Sequence, residues 1–297
     1  MADFTVFYSW QSDLPRKLTR DIVHGAASRA MERLNFDASV EDAPRLDHDT
    51  QGVAGAPEIA GTILRKIEQC GVFLADLTFV ATTTPADVNK VAKRIPNPNV
   101  LLELGYAAAK IGWERIVLVM NSAYGDPDEL IFDLRHRRFP LTFNLGPETR
   151  RDAEAVEWTL SEKMEEALRA ALQAEHAAVQ EAIGQLDQHA LVWLNDRGRD
   201  DYFAPLPRKT MGEILGSQRL DDALIRLIHL KLLRCDVAPG RNLYAYHWTY
   251  LGKLVLKAMG IRPKSVRHDN LSQAEQSHAL EPAAGPVSNG KSSPPAQ

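Results

Sequence analysis

The chain has 297 residues, of which 44% are hydrophobic and 25% charged, and its formal net charge is −4. These proportions are ordinary for a soluble globular protein with room for two domains, and the acidic balance gives no overall signal for nucleic-acid binding. No apolar run approaches the roughly 18 residues of a membrane span. The N-terminal residues lack a basic segment followed by an apolar core, so we expect no secretion signal, no membrane contact and a cytoplasmic location.

Strands and helices alternate in the first half, which predicts an α/β domain with a doubly wound parallel sheet over residues 1–147. Pro140 puts the last of the predicted strands at an edge of the sheet. Apolar or β-rich runs predict strands at 4–8, 37–41, 72–77, 115–120 and 138–143. Apolar residues one turn apart predict helices at 14–34, 57–70 and 98–112.

Two long connections interrupt this pattern. Residues 42–56 precede the second predicted helix, and residues 79–97 precede the third. Connections of this length inside a compact domain are usually functional or mobile. At the start of the first helix, Ser12 or Asp13 is the expected N-cap.

The second half begins with a long helical segment. Residues 152–194 are rich in alanine and glutamate, with Gly184 as a candidate break. We interpret residues 148–185 as a connecting helix that leads into a second domain.

Residues 186–262 form this second, smaller domain. The order helix, helix, hairpin, helix resembles a winged helix. Its predicted elements are helices at 209–215 and 220–233, a β-hairpin around Pro239 and Gly240, and a last helix at 249–259. Residues 263–297 are polar and rich in Pro, Ser, Gln and Ala, so we expect them to be disordered.

One carboxylate stands in an otherwise apolar helical turn. Glu103 lies in the run 97–106, where Pro98 marks the start of a helix. Burying an ionised side chain is unfavourable unless it is paired or functional. A second acid, Asp76, closes the buried strand before it, and open α/β sheets build their sites at the carboxyl ends of strands. We therefore expect the two acids to share a site. The alternative for Glu103 is a helix-start acid favoured by the helix dipole.

Three motifs carry a resemblance to a known family. They are Phe7-Tyr-Ser-Trp-Gln-Ser-Asp13, Ala75-Asp-Leu-Thr78 and Asn97-Pro-Asn-Val-Leu-Leu-Glu-Leu-Gly-Tyr106. Together they resemble bacterial TIR-like domains, which belong to a wider group that includes nucleoside 2-deoxyribosyltransferases. The resemblance covers residues 3–145. It implies a flavodoxin-like fold, an antiviral defence effector, and cleavage of NAD⁺ at the nicotinamide–ribose bond, with NAD⁺ as substrate and no bound cofactor.

The same resemblance makes Glu103 the catalytic residue. The nicotinamide of NAD⁺ is already cationic, so it leaves as a neutral group and needs no general acid. The enzyme must instead stabilise positive charge on the ribose, which a positioned carboxylate does electrostatically. Glu103 is also a candidate nucleophile, as in retaining glycosidases.

Six further residues are candidates for substrate binding: Ser9, Trp10, Arg45, Asp76, Asn97 and Asn99. Ser9 and Trp10 follow the first strand, where hydroxyl and indole groups can hold phosphate, ribose and base. Asp76 either orients a ribose hydroxyl or caps the turn after its strand.

Arg45 lies in the 42–56 connection, which matches the TIR loop that completes the active site between subunits. It is a candidate partner for a diphosphate or for a neighbouring subunit's acid, and the alternative is a solvated polar loop. Asn97 and Asn99 either bind substrate or pin their loop. No Cys or His spacing suggests a metal site, and the two cysteines, Cys70 and Cys235, lie far apart.

Two rivals to the NAD⁺ hypothesis remain. One is nucleoside or nucleotide 2-deoxyribosyl transfer or hydrolysis, which uses the same carboxylate on another base. The other is a TIR-like scaffold or transcription-linked binding module without catalysis. We expect a homo-oligomer whose second domain senses a ligand or protein signal. DNA binding is not expected there, because the candidate recognition helix starts with Asp221 and Asp222.

Overall fold

A five-stranded parallel sheet with helices on both faces forms the first half of the chain. The computed structural model describes residues 4–36, 45–47, 59–85, 87, 89, 91–131, 134, 139–199, 202–207, 218–237 and 243–261. Its first strands are β1 (Thr5–Ser9), β2 (Arg45–Asp47), β3 (Val72–Asp76), β4 (Phe79–Thr82), β5 (Arg94–Pro96), β6 (Ile116–Asn121) and β7 (Leu141–Phe143). The parallel sheet has the order β2-β1-β3-β6-β7.

Among the described residues, four helices cover this sheet: α1 (Arg20–Asn35), α2 (Ile59–Gln69), α3 (Pro98–Lys110) and α4 (Ala153–Gly184). Side chains alternate along each strand, so the three central strands β1, β3 and β6 feed two cores. Val72 and Leu74 of β3 pack with α1 and α4, whereas Phe73 and Ala75 pack with α3. The prediction of an α/β domain with a parallel sheet is confirmed. β7 lies at an edge of this sheet, as Pro140 indicates.

Two short paired segments lie where connections were predicted. β2 falls inside the connection 42–56 and runs parallel to β1, with the Arg45 amide donating to the Phe4 carbonyl at 2.9 Å. β4 and β5 form an antiparallel pair inside the connection 79–97. Strands of three or four residues are too short to show an alternating pattern in the sequence. Their extended structure depends on backbone pairing with other segments. The strand predicted at 37–41 lies outside the described residues.

The first helix begins later than its apolar spacing indicates. Residues 16–18 form a 3₁₀ turn, and α1 starts at Arg20 with Thr19 as its N-cap. Neither Ser12 nor Asp13 is therefore the N-cap of α1. Asp13 instead accepts a hydrogen bond from the Asn97 side chain, at the start of α3.

The helix α4 belongs to two cores. Leu160, Met164 and Leu168 are buried against α1 and the sheet, whereas Val179 and Ala182 pack into the core of the second half. Polar links reinforce the contact with α1: Arg29 pairs with Glu157 at 2.7 Å, and Arg33 with Glu165 at 2.6 Å. A Cβ on Gly25 would lie 2.5 Å from the Glu157 carboxyl carbon, so the two helices approach closely. The segment predicted as a connection is thus a structural part of both halves.

In the part of the second half that the structure describes, three helices accompany a three-stranded antiparallel sheet of order β8-β10-β9. Its elements are α5 (Gln188–Arg197), β8 (Tyr202–Pro207), α6 (Gln218–His229), β9 (Leu233–Val237), β10 (Leu243–Trp248) and α7 (Tyr250–Ala258). The hairpin β9–β10 and the helices α6 and α7 match the predicted order. β8 was not predicted, and it carries Pro205 and Pro207, which weaken a strand pattern. The helix predicted at 209–215 and the tail 263–297 lie outside the described residues.

The second half contacts the amino edge of the parallel sheet. Arg234 of β9 forms an ion pair with Glu68, near the end of α2. The Arg115 guanidinium, just before β6, stands 5.2 Å from the ring centroid of Tyr250 in α7. A Cβ on Gly71, just before β3, would lie 2.8 Å from the Tyr250 hydroxyl oxygen. These contacts lie at the opposite edge from the carboxyl ends of the strands.

Within the described ranges, no helix combines the length and the apolar character that a bilayer crossing requires. α4 is long enough at 32 residues, but acidic and basic side chains occur along it.

Candidate active site

A serine and a glutamate meet where β1 ends. The Ser9 hydroxyl donates to Oε2 of Glu103 at 2.6 Å. Ser9 is the last residue of β1 and is 2% exposed, while Glu103 lies in the second turn of α3 and is half-buried. The distance is that of a charge-assisted hydrogen bond to a carboxylate. The carboxylate is therefore held at the carboxyl edge of the sheet.

The start of α3 is fixed by its cap. Asn97 is the N-cap, and its Oδ1 accepts from the amides of Asn99 at 2.8 Å and Val100 at 3.3 Å. Its Nδ2 donates to Asp13 at 2.7 Å, which ties the helix start to the segment after β1. Pro98 follows at the first helical position, where it has no amide hydrogen to lose. Asn97 is thus engaged in pinning the loop, the second of its two expected roles, and Asn99 is exposed.

The packing of α3 against the sheet orients the Glu103 side chain towards β1. Val100, Leu104 and Ala107 are buried against the sheet, and Leu102 on the other side is 71% exposed. Glu103 lies between these two surfaces, so its carboxylate is neither sealed in the core nor free in solvent. This position gives a charged group reach to a ligand at the sheet edge.

The second acid points to the other face of the sheet. Ser9 lies opposite Ala75 in the β1–β3 register, on the face that α3 covers, and Asp76 comes one residue later on β3. Asp76 is 0% exposed, and its Oδ1 accepts from the Thr78 amide at 3.0 Å and the Thr78 hydroxyl at 2.5 Å. The two acids do not form one cluster as expected. The contacts of Asp76 fit the alternative role, a cap of the turn after β3.

Burial also sets the proton affinity of Asp76. Loss of hydration raises the pKa of this carboxyl above its usual range, against the opposing effect of the hydrogen bonds from Thr78 and of the nearby Gln11 amide. The folded state therefore holds the proton more tightly than the unfolded state does. As the pH rises from the unfolded pKa towards the raised folded pKa, the unfolded chain binds fewer protons, and stability falls.

We expect Asp76→Asn to remove this dependence of stability on pH. The amide keeps an oxygen for Thr78 and carries no charge, so the variant should gain stability relative to wild type as the pH rises from about 4, near the unfolded pKa, to about 8. Urea unfolding of both proteins at the two pH values measures this difference. Parallel pH dependence in the two proteins would refute the assignment.

The remaining candidates occupy separate positions. The Arg20 guanidinium lies 3.7 Å from the centroid of the Trp10 ring, which packs against the core on the α1 side. Trp10 is half-buried, so one part of the indole stays accessible. Arg45 is exposed on β2, the outer strand next to β1. Tyr106, one turn after Glu103, donates to Glu68 at 2.5 Å and so belongs to the contact with the second half.

A buried asparagine that the sequence interpretation passed over supports the carboxyl edge. Asn121 ends β6, and its Nδ2 donates to the carbonyls of Leu18 at 2.8 Å and Leu145 at 2.9 Å. Its Oδ1 accepts from the amides of Ala123 and Leu145, each at 3.1 Å. One side chain thereby ties together three chain segments. The asparagine directly after the apolar run 115–120 was the signal in the sequence that could have identified this residue.

A groove of about 410 Å³ opens between β7 and α4, away from Glu103. Two of its polar side chains already bond within it: Lys163 donates to the Thr142 carbonyl, and Asn144 to the Ser122 hydroxyl. Among the described residues, no group of three or more His, Cys, Asp or Glu side chains is arranged to hold a metal ion. The Ser9–Glu103 pair is therefore the arrangement on which a chemical function can be built.

Comparison with known proteins leaves this site to be interpreted on its own geometry. No protein-family model matches the chain, and no curated protein matches its sequence.

Proposed function

We propose that the chain is an NAD⁺ glycohydrolase, acting in the cytoplasm as an antiviral defence effector. The observation that carries the proposal is the hydrogen bond between Ser9 and Glu103. It fixes a carboxylate beside the end of β1, next to the point where the strand order reverses between β1 and β3. Open α/β sheets bind their ligands at such switch points.

The proposal includes a finer description of both halves. The strand order β2-β1-β3-β6-β7 supports a flavodoxin-like, TIR-like fold, since flavodoxin-like sheets place the second strand outside the first. The hairpin β9–β10 between α6 and α7 supports a winged-helix-like second domain.

The proposed chemistry needs few groups. Water adds to the anomeric carbon of the ribose, and the N-glycosidic bond breaks with its electron pair going to the nicotinamide nitrogen. The products are nicotinamide, ADP-ribose and one proton. Glu103 would stabilise the cationic ribose at the point where the charge develops, or form a covalent ester that water then hydrolyses.

Substrate choice is tested directly by comparing bond classes. The full chain is incubated with NAD⁺, with ribonucleosides and with 2′-deoxynucleosides, and the products are separated by chromatography. We expect nicotinamide to be released from NAD⁺, and the ribonucleosides and 2′-deoxynucleosides to remain unchanged. Release or exchange of a base from deoxynucleosides would favour the deoxyribosyltransferase instead, and unchanged substrates in every reaction would favour a non-enzymatic scaffold.

The second half would act as a signal-sensing or assembly unit. Its contacts through Arg234 and Tyr250 lie at the amino edge of the sheet, which leaves the edge that carries Glu103 for substrate. We propose a homo-oligomer in which the 42–56 segment, including the exposed Arg45, meets a neighbouring subunit. A ligand or a protein would provide the signal.

Double-stranded DNA should bind only weakly, at micromolar concentrations or above, at physiological salt. The helix α6 includes Asp221 and Asp222 near its start, and the whole chain is acidic. Phosphate contacts dominate DNA affinity, so an acidic helix start opposes binding. Titration of labelled duplexes at several salt concentrations measures this. Nanomolar affinity with a steep salt dependence would contradict the sensing role and favour a transcription-linked module.

A further inference from the structure

We infer that Ser9 is a positioning residue, whose hydroxyl orients the Glu103 carboxylate and keeps it ionised, rather than a residue that binds substrate. This inference rests on the proposed function, because it assigns a partner to the proposed catalytic group. Its observation is the 2.6 Å bond from Ser9 Oγ to Glu103 Oε2.

The two partners differ in rigidity. Ser9 ends a strand that pairs with β2 as far as Phe7 and with β3 as far as Ser9 itself, and it is 2% exposed. Its hydroxyl therefore has a fixed origin. Glu103 reaches the site through a longer side chain that rotates about several bonds. A hydrogen bond from the rigid Ser9 to Oε2 fixes the direction in which the carboxylate points. A small displacement of a reacting group strongly affects the reaction rate.

The hydroxyl can donate one hydrogen bond, and Glu103 accepts it. Ser9 can accept a hydrogen bond from a ribose hydroxyl but has no second proton to donate to substrate. A donor bond to a carboxylate also favours the ionised form over the protonated form. Since the cationic ribose is stabilised only by the charged carboxylate, this bond extends activity towards lower pH.

The test is the pH profile of Ser9→Ala with NAD⁺. We expect kcat to fall about 10- to 100-fold, the effect of losing one hydrogen bond to a charged group, with KM nearly unchanged. The acidic limb of the profile should move upward by about one pH unit. Ser122→Ala is the matched control, because the Ser122 hydroxyl donates to the Phe143 carbonyl at the same sheet edge. That control should keep the wild-type profile.

A second readout does not depend on turnover. In protein labelled with ¹³C at glutamate carboxyls, the Glu103 resonance is assigned by its absence in Glu103→Gln and followed against pH. Its titration midpoint should be higher in Ser9→Ala than in wild type. Ser9→Cys keeps a side chain of similar size that is only a weak hydrogen-bond donor. If the alanine variant unfolds, the cysteine variant should still raise the titration midpoint of Glu103.

Two results would overturn the inference. One is a raised KM with kcat and the acidic limb unchanged, which would make Ser9 a substrate ligand. The other is an unshifted Glu103 titration in both Ser9 variants. Either outcome, with Glu103→Gln inactive, would leave the proposed function intact, whereas an active Glu103→Gln would refute the function itself.

Discussion

Glu103→Gln is expected to abolish NAD⁺ cleavage while the protein stays folded. The amide has nearly the same shape as the carboxylate and can still accept a hydrogen bond from Ser9. It lacks the negative charge that stabilises the cationic ribose. Loss of one such electrostatic contact in an active site typically lowers kcat by about 10²–10³-fold, and a lost nucleophile lowers it further. Initial rates of nicotinamide release from NAD⁺ measure the effect.

A matched carboxylate serves as the control for this variant. Glu114 is exposed at the amino edge of the same domain, just before β6. Glu114→Gln should keep the wild-type rate. Thermal unfolding of both variants should be close to that of wild type, because neither glutamate is fully buried. A Glu103→Gln variant that cleaves NAD⁺ within a few-fold of the wild-type rate would exclude Glu103 as the catalytic residue.

Ending the chain at residue 150 is expected to unfold the first half. The helix α4 supplies Leu160, Met164 and Leu168 to the core that α1 and the sheet share. Burial of three such side chains is worth on the order of 5 kcal/mol or more, which matches the whole stability of many domains. A chain of residues 1–150 should therefore lack the cooperative thermal transition and near-ultraviolet dichroism of the full chain.

A leucine pair gives the same test without truncation. Leu168→Ala opens a cavity at a site with 0% exposure and should lower the free energy of unfolding by about 2–5 kcal/mol. Leu102→Ala removes the same atoms from a side chain that is 71% exposed and should change stability by less than about 1 kcal/mol. Equal losses in the two variants, measured by urea unfolding, would contradict the role of α4 in the first core.

Elements with strong local signals were predictable from the sequence. The continuous apolar runs of β3 and β6 predicted buried parallel strands, and Pro98 marked the start of α3. The pairs β1–β2 and β4–β5 escaped prediction, because each segment is short and its order comes from backbone pairing with residues distant in sequence. The dual packing of α4 also escaped, since helical spacing shows that a helix buries one face but not which cores it joins.

The candidate site was predictable in part. Ser9 and Glu103 were both candidates, but their direct contact across 94 positions depends on the sheet register. All five residues of β3 are buried, so no alternation of polar and apolar residues told which face Asp76 would take. The ion pair between Glu68 and Arg234, 166 positions apart, likewise depends on how the two halves pack.

The account is tested most directly by the release of nicotinamide from NAD⁺ by the full chain, quantified by chromatography over a wide range of protein concentrations. We predict nicotinamide and ADP-ribose in equal molar amounts, with formation lost in Glu103→Gln and kept in Glu114→Gln. NAD⁺ that remains intact at every protein concentration, or that is cleaved equally by Glu103→Gln, would contradict the account.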